Sequence, residues 1–237
     1  MNTVLFDLDG TLLPINQHDF LHGYMHEISK KFVKFGIDPE KLVNALQVGT
    51  AAMIQNDGHQ TNEACFWDVF VNLMGEEILA TKPEFEHFYT NEFNNVSKAV
   101  IPNPLAQQCI NILKEKGYAV IAATNPVFPE IATKQRIRWA QINPDDFTLI
   151  TTYENSCFGK PNLDYYRMIL KNVDRKASDC LMVGNDVDED MCVSDLGLET
   201  FLLTDYLLNR NNKDLSSYRK GNFETLTDYL ISLPDAA

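Results

Sequence analysis

Apolar residues along this chain follow two rhythms. Short, unbroken, β-prone runs recur at 3–6, 118–123, 147–152, 180–183 and 199–203. The first, second and fourth stop at polar turns, Asp-Leu-Asp-Gly, Thr-Asn-Pro and Gly-Asn-Asp. Runs this short, without alternation, predict strands buried on both faces. Between the later runs, apolar positions fall at helical spacing over 104–116, 129–140, 162–172 and 189–196, several opening on Pro or Asn as helix starts do. Strand and helix in alternation predict an α/β fold: a Rossmann-like parallel sheet with helices on both faces.

One stretch breaks the alternation. From 15 to 97 no strand pattern occurs, and helical spacing predicts four helices near 17–35, 39–55, 61–74 and 83–94. The chain returns to the sheet through Ile101-Pro102-Asn103-Pro104. The predicted organisation is an α/β core of 1–14 and 98–237 with an all-helical cap subdomain inserted at 15–97; the alternative is extra helices packed on the sheet. Within the insertion, Phe66, Trp67, Phe70 and Met74 have the spacing of helix packing. His18, His22 and His26 recur every fourth residue on one face. With no acidic or cysteine partner apparent, they read as imidazoles facing cleft or solvent rather than as a transition-metal site. A polar loop at 209–213 precedes a last helix at 224–233.

Composition narrows the function. A length of 237 residues, 45% of them apolar, suits an α/β domain carrying a smaller insertion. No stretch approaches the roughly 20 apolar residues of a bilayer span, and the start MNTVLFDLDG lacks a basic region followed by an apolar one. The expectation is a cytoplasmic protein without a membrane partner, a monomer or weak homodimer. Five widely spaced cysteines suit free thiols better than disulfides. A net charge of −13, with no Lys/Arg cluster, argues against nucleic acid as a partner. A single lysine and a metal ion can still make a local site for phosphate.

The polar residues at the strand ends carry the candidate chemistry, because ligands of open parallel sheets bind outside the carboxyl ends of the strands. Asp7 and Asp9 stand roughly 7 Å apart on one side of an extended chain. Such a pair suits a divalent cation, or a division of labour between nucleophile and acid/base. Thr124 offers a hydroxyl and Asn125 a backbone N–H to an anionic oxygen. Lys160, in Gly159-Lys160-Pro161, offers an ammonium on a proline-stiffened loop. Gly184-Asn185-Asp186-Val187-Asp188-Glu189-Asp190 brings four acids into five residues, a density that calls for a cation or a nearby lysine.

DLDGT at 7–11, the strand ending in Thr124, Gly159-Lys160-Pro161, and Gly184 with Asp186 and Asp190 resemble the four ordered motifs of the haloacid dehalogenase superfamily. The helical insertion after the first motif resembles that superfamily's cap. The resemblance implies Asp7 as nucleophile toward a small phosphorylated substrate, with an aspartyl-phosphate intermediate, and Asp9 as acid/base. It further implies Mg²⁺ held by Asp7, the carbonyl of Asp9 and Asp186; phosphate contacts from Thr124, the N–H of Asn125 and Lys160; and Asp190 orienting Lys160. The fourth motif departs from the pattern: Asn185 follows the glycine where the metal-binding aspartate is usual. Either Asp186 takes that place or Asn185 faces the metal. A second acid at Asp9 favours phosphoryl chemistry over dehalogenation, which needs no proton donor for its leaving group. A phosphomutase and a non-catalytic cation-binding module are the other readings. A Schiff-base lysine for phosphonate cleavage would come from Lys30, Lys31, Lys34 or Lys41.

Overall fold

The computed structural model describes residues 1–236. Six parallel strands form one sheet: β1 (Thr3–Phe6), β2 (Ala119–Ala122), β3 (Leu149–Ile150), β4 (Cys180–Gly184), β5 (Glu199–Leu203) and β6 (Lys220–Gly221). Their order is β3-β2-β1-β4-β5-β6. The chain runs outward from β1 to β3, then crosses back to place β4 on the other side of β1. The order therefore reverses between β1 and β4, where the strand ends leave a crevice for ligands. In register, Phe6 pairs with Ala122 and with Val183, so the turns after β1, β2 and β4 emerge at one level.

Alternate residues of the central strands serve opposite faces. Val4, Phe6, Val120, Ala122, Leu181 and Val183 join one apolar cluster, while Leu5, Ile121, Ala123 and Met182 join another. The first cluster is covered by α5 (Pro104–Glu115), α6 (Glu130–Trp139) and α8 (Phe223–Ser232) through residues such as Ile110, Ile137 and Leu226, and the second by α7 (Leu163–Asn172) through Tyr165, Tyr166 and Ile169. The strands read as continuous apolar runs because neither face sees water.

The structure revises some boundaries. The run at 147–152 narrows to the two residues of β3, an edge strand bonded to one neighbour. The helix expected at 189–196 is a 3-10 turn, Met191–Leu196, ended by Gly197 at φ 88°. Strand β6 has no counterpart in the apolar pattern, since a pair reading Lys-Gly carries no strand signal.

Between β1 and α5 the ordered segments are helical: α1 (Gln17–Phe32), α2 (Pro39–Ile54), α3 (Asn62–Met74) and α4 (Lys82–Thr90), with 3-10 turns among them, the last spanning Glu92–Ala99. Side chains of Asn16, Asp38 and Thr61 cap the first three helices. Phe66 and Phe70 are buried, whereas His18, His22 and His26 lie on the exposed face of α1. The insertion's apolar interior is continuous with one face of the sheet: Phe20, Tyr24 and Phe93 pack on Phe128. Of Lys30, Lys31, Lys34 and Lys41, Lys31 is the buried one, bonded to His87 Nδ1 at 2.7 Å and paired with Glu84 and Glu92. Among the described residues, no helix is long and apolar enough to cross a membrane, and the five cysteines are unbridged.

Candidate active site

At the switch point, Asp7, Asp9, Thr124, Asn125, Asn185, Asp186 and Asp190 line one cavity of about 50 Å³, together with Gln17 and Glu189. Asp7 follows β1 directly, and its N–H bonds to the carbonyl of Val183 at 2.9 Å, so the strand pairing itself delivers it. Asp9 lies in a tight turn closed by Gly10 N–H donating to Leu13 O at 2.8 Å. Gly10 has φ 85°, and a Cβ there would lie 2.4 Å from the Asn185 amide.

Lys160 lies behind this cavity, 1% exposed, and its Nζ donates to Asp7 Oδ1 and Asp190 Oδ1, each at 2.7 Å. Burial alone would push the ammonium's pKa down, but the two carboxylates outweigh it and hold the pKa well above the usual lysine value. Asp190 is pushed up to about 7 by burial, against the pull of Lys160. Its other oxygen accepts from the Asp186 N–H at 3.0 Å. Gly184 makes this approach possible, since a Cβ there would fall 2.1 Å from Asp190 Oδ2. Gly184→Ala should therefore displace Asp190 and destabilise the fold by about 1–3 kcal/mol. Chemical denaturation checks this, and an unchanged midpoint would show that the contact is slack.

Asn185 and Asp186 divide their tasks. The Asn185 amide accepts from Thr11 Oγ1 at 2.9 Å and donates to Tyr206 O at 2.7 Å, bracing the first motif against the loop after β5. Asp186 Oδ1 accepts from the N–H groups of Asp188 and Glu189 at 2.9 and 3.1 Å, and Oδ2 from the Arg210 guanidinium. Thr124 is 2% exposed, and its carbonyl is held at 2.8 Å by both Thr151 Oγ1 and Tyr165 OH, which fixes the main chain there. Asn125 has a further use: its Oδ1 accepts from the Lys160 N–H at 3.2 Å, tying the second motif to the third.

Two arginines at the site carried no assignment from sequence. Arg136, 1% exposed on α6, binds Asp9 Oδ2 and lies 4.5 Å over the Phe128 ring. Asp9 Oδ1 and Arg136 Nε are buried and without a protein partner. Burial pushes the Asp9 carboxyl up, and the guanidinium opposes it. A signal for Arg136 did exist: it stands at helical spacing among Ala132, Thr133, Ile137 and Ala140, all buried, and an arginine on an apolar face must find an acid. Arg210 lies in an aperiodic loop that offers no such signal.

The chain's relationships agree with this geometry. A family model described as haloacid dehalogenase-like hydrolase matches residues 1–191. A glyceraldehyde 3-phosphate phosphatase of Methanocaldococcus jannaschii is 26% identical, with 97% of each chain covered. A 2-haloacid dehalogenase from Pseudomonas syringae pv. Tomato superposes with a TM-score of 0.61 at 18% identity, covering 97% of this chain and 99% of that one. The hydrolase YfnB of Bacillus subtilis, crystallised with magnesium, gives 0.56 at 19%, covering 97% and 98%. With the family model spanning the core motifs from Asp7 to Asp190, the chain belongs to the haloacid dehalogenase-like hydrolases.

Proposed function

We propose that this hydrolase is a magnesium-dependent phosphatase that acts on a small phosphorylated metabolite through a phosphorylated Asp7. The observation that carries the proposal is the pair Asp7 and Asp9 at the switch-point cavity, with the Lys160 ammonium 2.7 Å from Asp7 Oδ1. The carboxylate of Asp7 attacks phosphorus, the P–O bond to the alkoxide breaks, and Asp9 gives the departing oxygen its proton. Asp9 then takes a proton from the water that hydrolyses the aspartyl-phosphate. With Oδ2 engaged by Arg136, Oδ1 is the oxygen left to handle that proton. Thr124 and the Asn125 N–H receive the phosphoryl oxygens, and Lys160, turned by Asp190, adds positive charge behind them. A dehalogenase has no need of the second acid, which is why phosphoryl transfer is preferred although a dehalogenase shares the fold.

Magnesium is the metal this family generally uses, and the residues present fit it. Mg²⁺ keeps several waters and takes one or two carboxylates plus substrate phosphate rather than a full protein cage. The carboxylates of Asp7 and Asp186 line one cavity, and among the described residues no group of three or more His, Cys, Asp or Glu side chains is arranged to hold a metal. We assign the site to Asp7, Asp186 and the Asp9 carbonyl. The Arg210 guanidinium on Asp186 marks a place where positive charge is wanted. When bound, the ion would screen the Asp7 carboxylate from the negative phosphoryl oxygens.

A panel of phosphate esters headed by three-carbon sugar phosphates, assayed for released phosphate with Mg²⁺ and with excess chelator, tests the proposal. Turnover is expected with the metal and loss to background without it. Silence across the whole panel would favour a non-catalytic cation-binding module, and dependence on a phosphorylated activator would favour a phosphomutase.

A further inference from the structure

We infer that Asn62 is a positioning residue. Its carboxamide, carried on the helical insertion, clamps together the two core loops that present Thr124-Asn125 and Lys160. Docking of the insertion and completion of the phosphate-binding loops are thereby one event. The consequence for turnover rests on the phosphatase reading; the coupling does not.

Asn62 is the first residue of α3 and is fully buried. Its Nδ2 donates to the carbonyl of Pro126 at 3.1 Å and to that of Phe158 at 3.2 Å. Pro126 follows Asn125, and Phe158 precedes Gly159-Lys160. One NH₂ group therefore spans the loops leaving two neighbouring strands, β2 and β3. The Asn125 Oδ1 to Lys160 N–H bond at 3.2 Å is a second tie between the same loops, on the core's own side.

The orientation of the Asn62 amide is held as well. Its Oδ1 accepts from Asn56 Nδ2 at 2.8 Å, and that nitrogen also donates to Gln60 O at 2.9 Å. Among uncharged side chains only a carboxamide puts two N–H donors on one planar nitrogen, and asparagine does so with the shortest stem. The start of α3 is docked by main-chain bonds too: Asn62 N–H donates to Ser156 O and Glu63 N–H to Tyr153 O, both at 2.8 Å. These are donors that a helix start otherwise leaves to water. Gly58 lies against the Phe158 ring, where a Cβ would come within 2.2 Å.

The seam beside Phe128 is mainly apolar, with the Trp139 indole N–H donating to Asn94 Oδ1 at 3.1 Å from α6 rather than from the phosphate-binding loops. Phe20, Tyr24 and Phe93 bury apolar surface there, and such contact sets no register. The directional bonds next to the phosphate-binding residues come from the start of α3. If the insertion undocks, both loops lose their shared tie together.

Hydrogen exchange read by mass spectrometry over 125–128 and 156–160 tests this, comparing the unaltered protein with Asn62→Asp, Asn56→Ala and Thr61→Ala. Asn62→Asp keeps the shape and removes both donors. Both loops should then exchange roughly tenfold faster or more, as expected for the loss of two buried neutral hydrogen bonds, with the β1 and β4 amides unchanged. Asn56→Ala, which frees the amide to turn and also removes the Asn56 bonds to Gln60 O and the Gly58 N–H, should act in the same direction with a smaller effect, and it keeps the test available should Asn62→Asp fail to fold. Thr61→Ala removes the helix cap, whose Oγ1 accepts from the Ala64 N–H at 3.2 Å, and should leave both loops within about twofold. Faster exchange in one loop alone, no change in either, or the same effect from Thr61→Ala would overturn the inference.

A second readout uses inorganic phosphate as a competitive inhibitor of p-nitrophenyl phosphate hydrolysis. Its inhibition constant should rise and kcat should fall by a similar factor of roughly ten in Asn62→Asp but not in Thr61→Ala. Equal effects in the two variants would make the role merely structural. Absence of turnover in the unaltered protein would remove the phosphatase reading while leaving the exchange result to decide the clamp.

Discussion

Asp7→Asn is expected to reduce turnover of an aryl phosphate by roughly 10⁴-fold or more, because it deletes the proposed nucleophile rather than weakening a contact. The amide has nearly the shape of the carboxylate and keeps an acceptor oxygen for Lys160 Nζ, which also remains bound to Asp190. Four aspartates, Asp7, Asp9, Asp186 and Asp190, line the same cavity, so removing one charge relieves repulsion as well as losing an ion pair. The fold should therefore survive, with a stability change within about 2 kcal/mol. Steady-state rates together with thermal unfolding decide the matter. A variant that folds and keeps turnover within tenfold of the parent would remove Asp7 from the chemistry, and a variant that unfolds would show that its charge is structural.

Lys160→Met should strike both stability and activity. Methionine fills a similar volume, but it leaves Asp7 and Asp190 facing each other in a buried place without their cation. Breaking a buried pair from one side costs about 3–5 kcal/mol. For a chain of this size that lowers the melting temperature by roughly 10 °C or more.

The deficit should also depend on pH, with a definite sign. Asp190 has a folded pKa raised to about 7, so its contribution to stability is full below the unfolded value of 3.8 and is lost as pH rises through about 7. Lys160, whose folded pKa is raised, contributes stability below its unfolded value of 10.5 that persists through neutrality. Without the lysine the carboxyl must ionise unaided, so the difference between variant and parent should be small near pH 5 and larger near pH 8. Unfolding curves at both pH values, taken with chelator present, check this; a deficit independent of pH would mean that the loss is one of packing. Phosphatase activity should fall with it if, as proposed, Lys160 supplies the charge behind the phosphoryl oxygens.

Local signals in the chain carried the plan of the core. The strand runs at 3–6, 118–123, 180–183 and 199–203 and the helices at 104–116, 129–140 and 162–172 appear in the structure within a few residues, whereas 189–196 forms a 3-10 turn. The reason is that buried parallel strands and amphipathic helices leave different periodicities. The edge strand β3 and the two-residue β6 were shortened or missed because pairing at a sheet edge depends on neighbours more than on composition. The candidate site residues stand in the turns and loops that follow apolar runs, directly for Asp7 and Thr124 and several residues on for Lys160 and Asp190, and a parallel sheet gathers those ends in one place. The interval between Asn185 and Asp186 was not legible. Both residues are polar and adjacent, and only the positions of Thr11 and Tyr206 show that the Asn185 amide is taken up by bracing.

By itself the amino-acid sequence determined the alternation of strand and helix, the helical interruption after the first strand, and the set of carboxylates, threonine and lysine at the strand ends. These follow from periodicity and turn chemistry, which act over a few residues. Tertiary structure alone decided which polar groups meet: Arg136 with Asp9, Arg210 with Asp186, and Asn62 across two loops. Those partners lie 127, 24, 64 and 96 positions apart in the chain. No local pattern records an encounter that exists only once the sheet has brought its crossovers together.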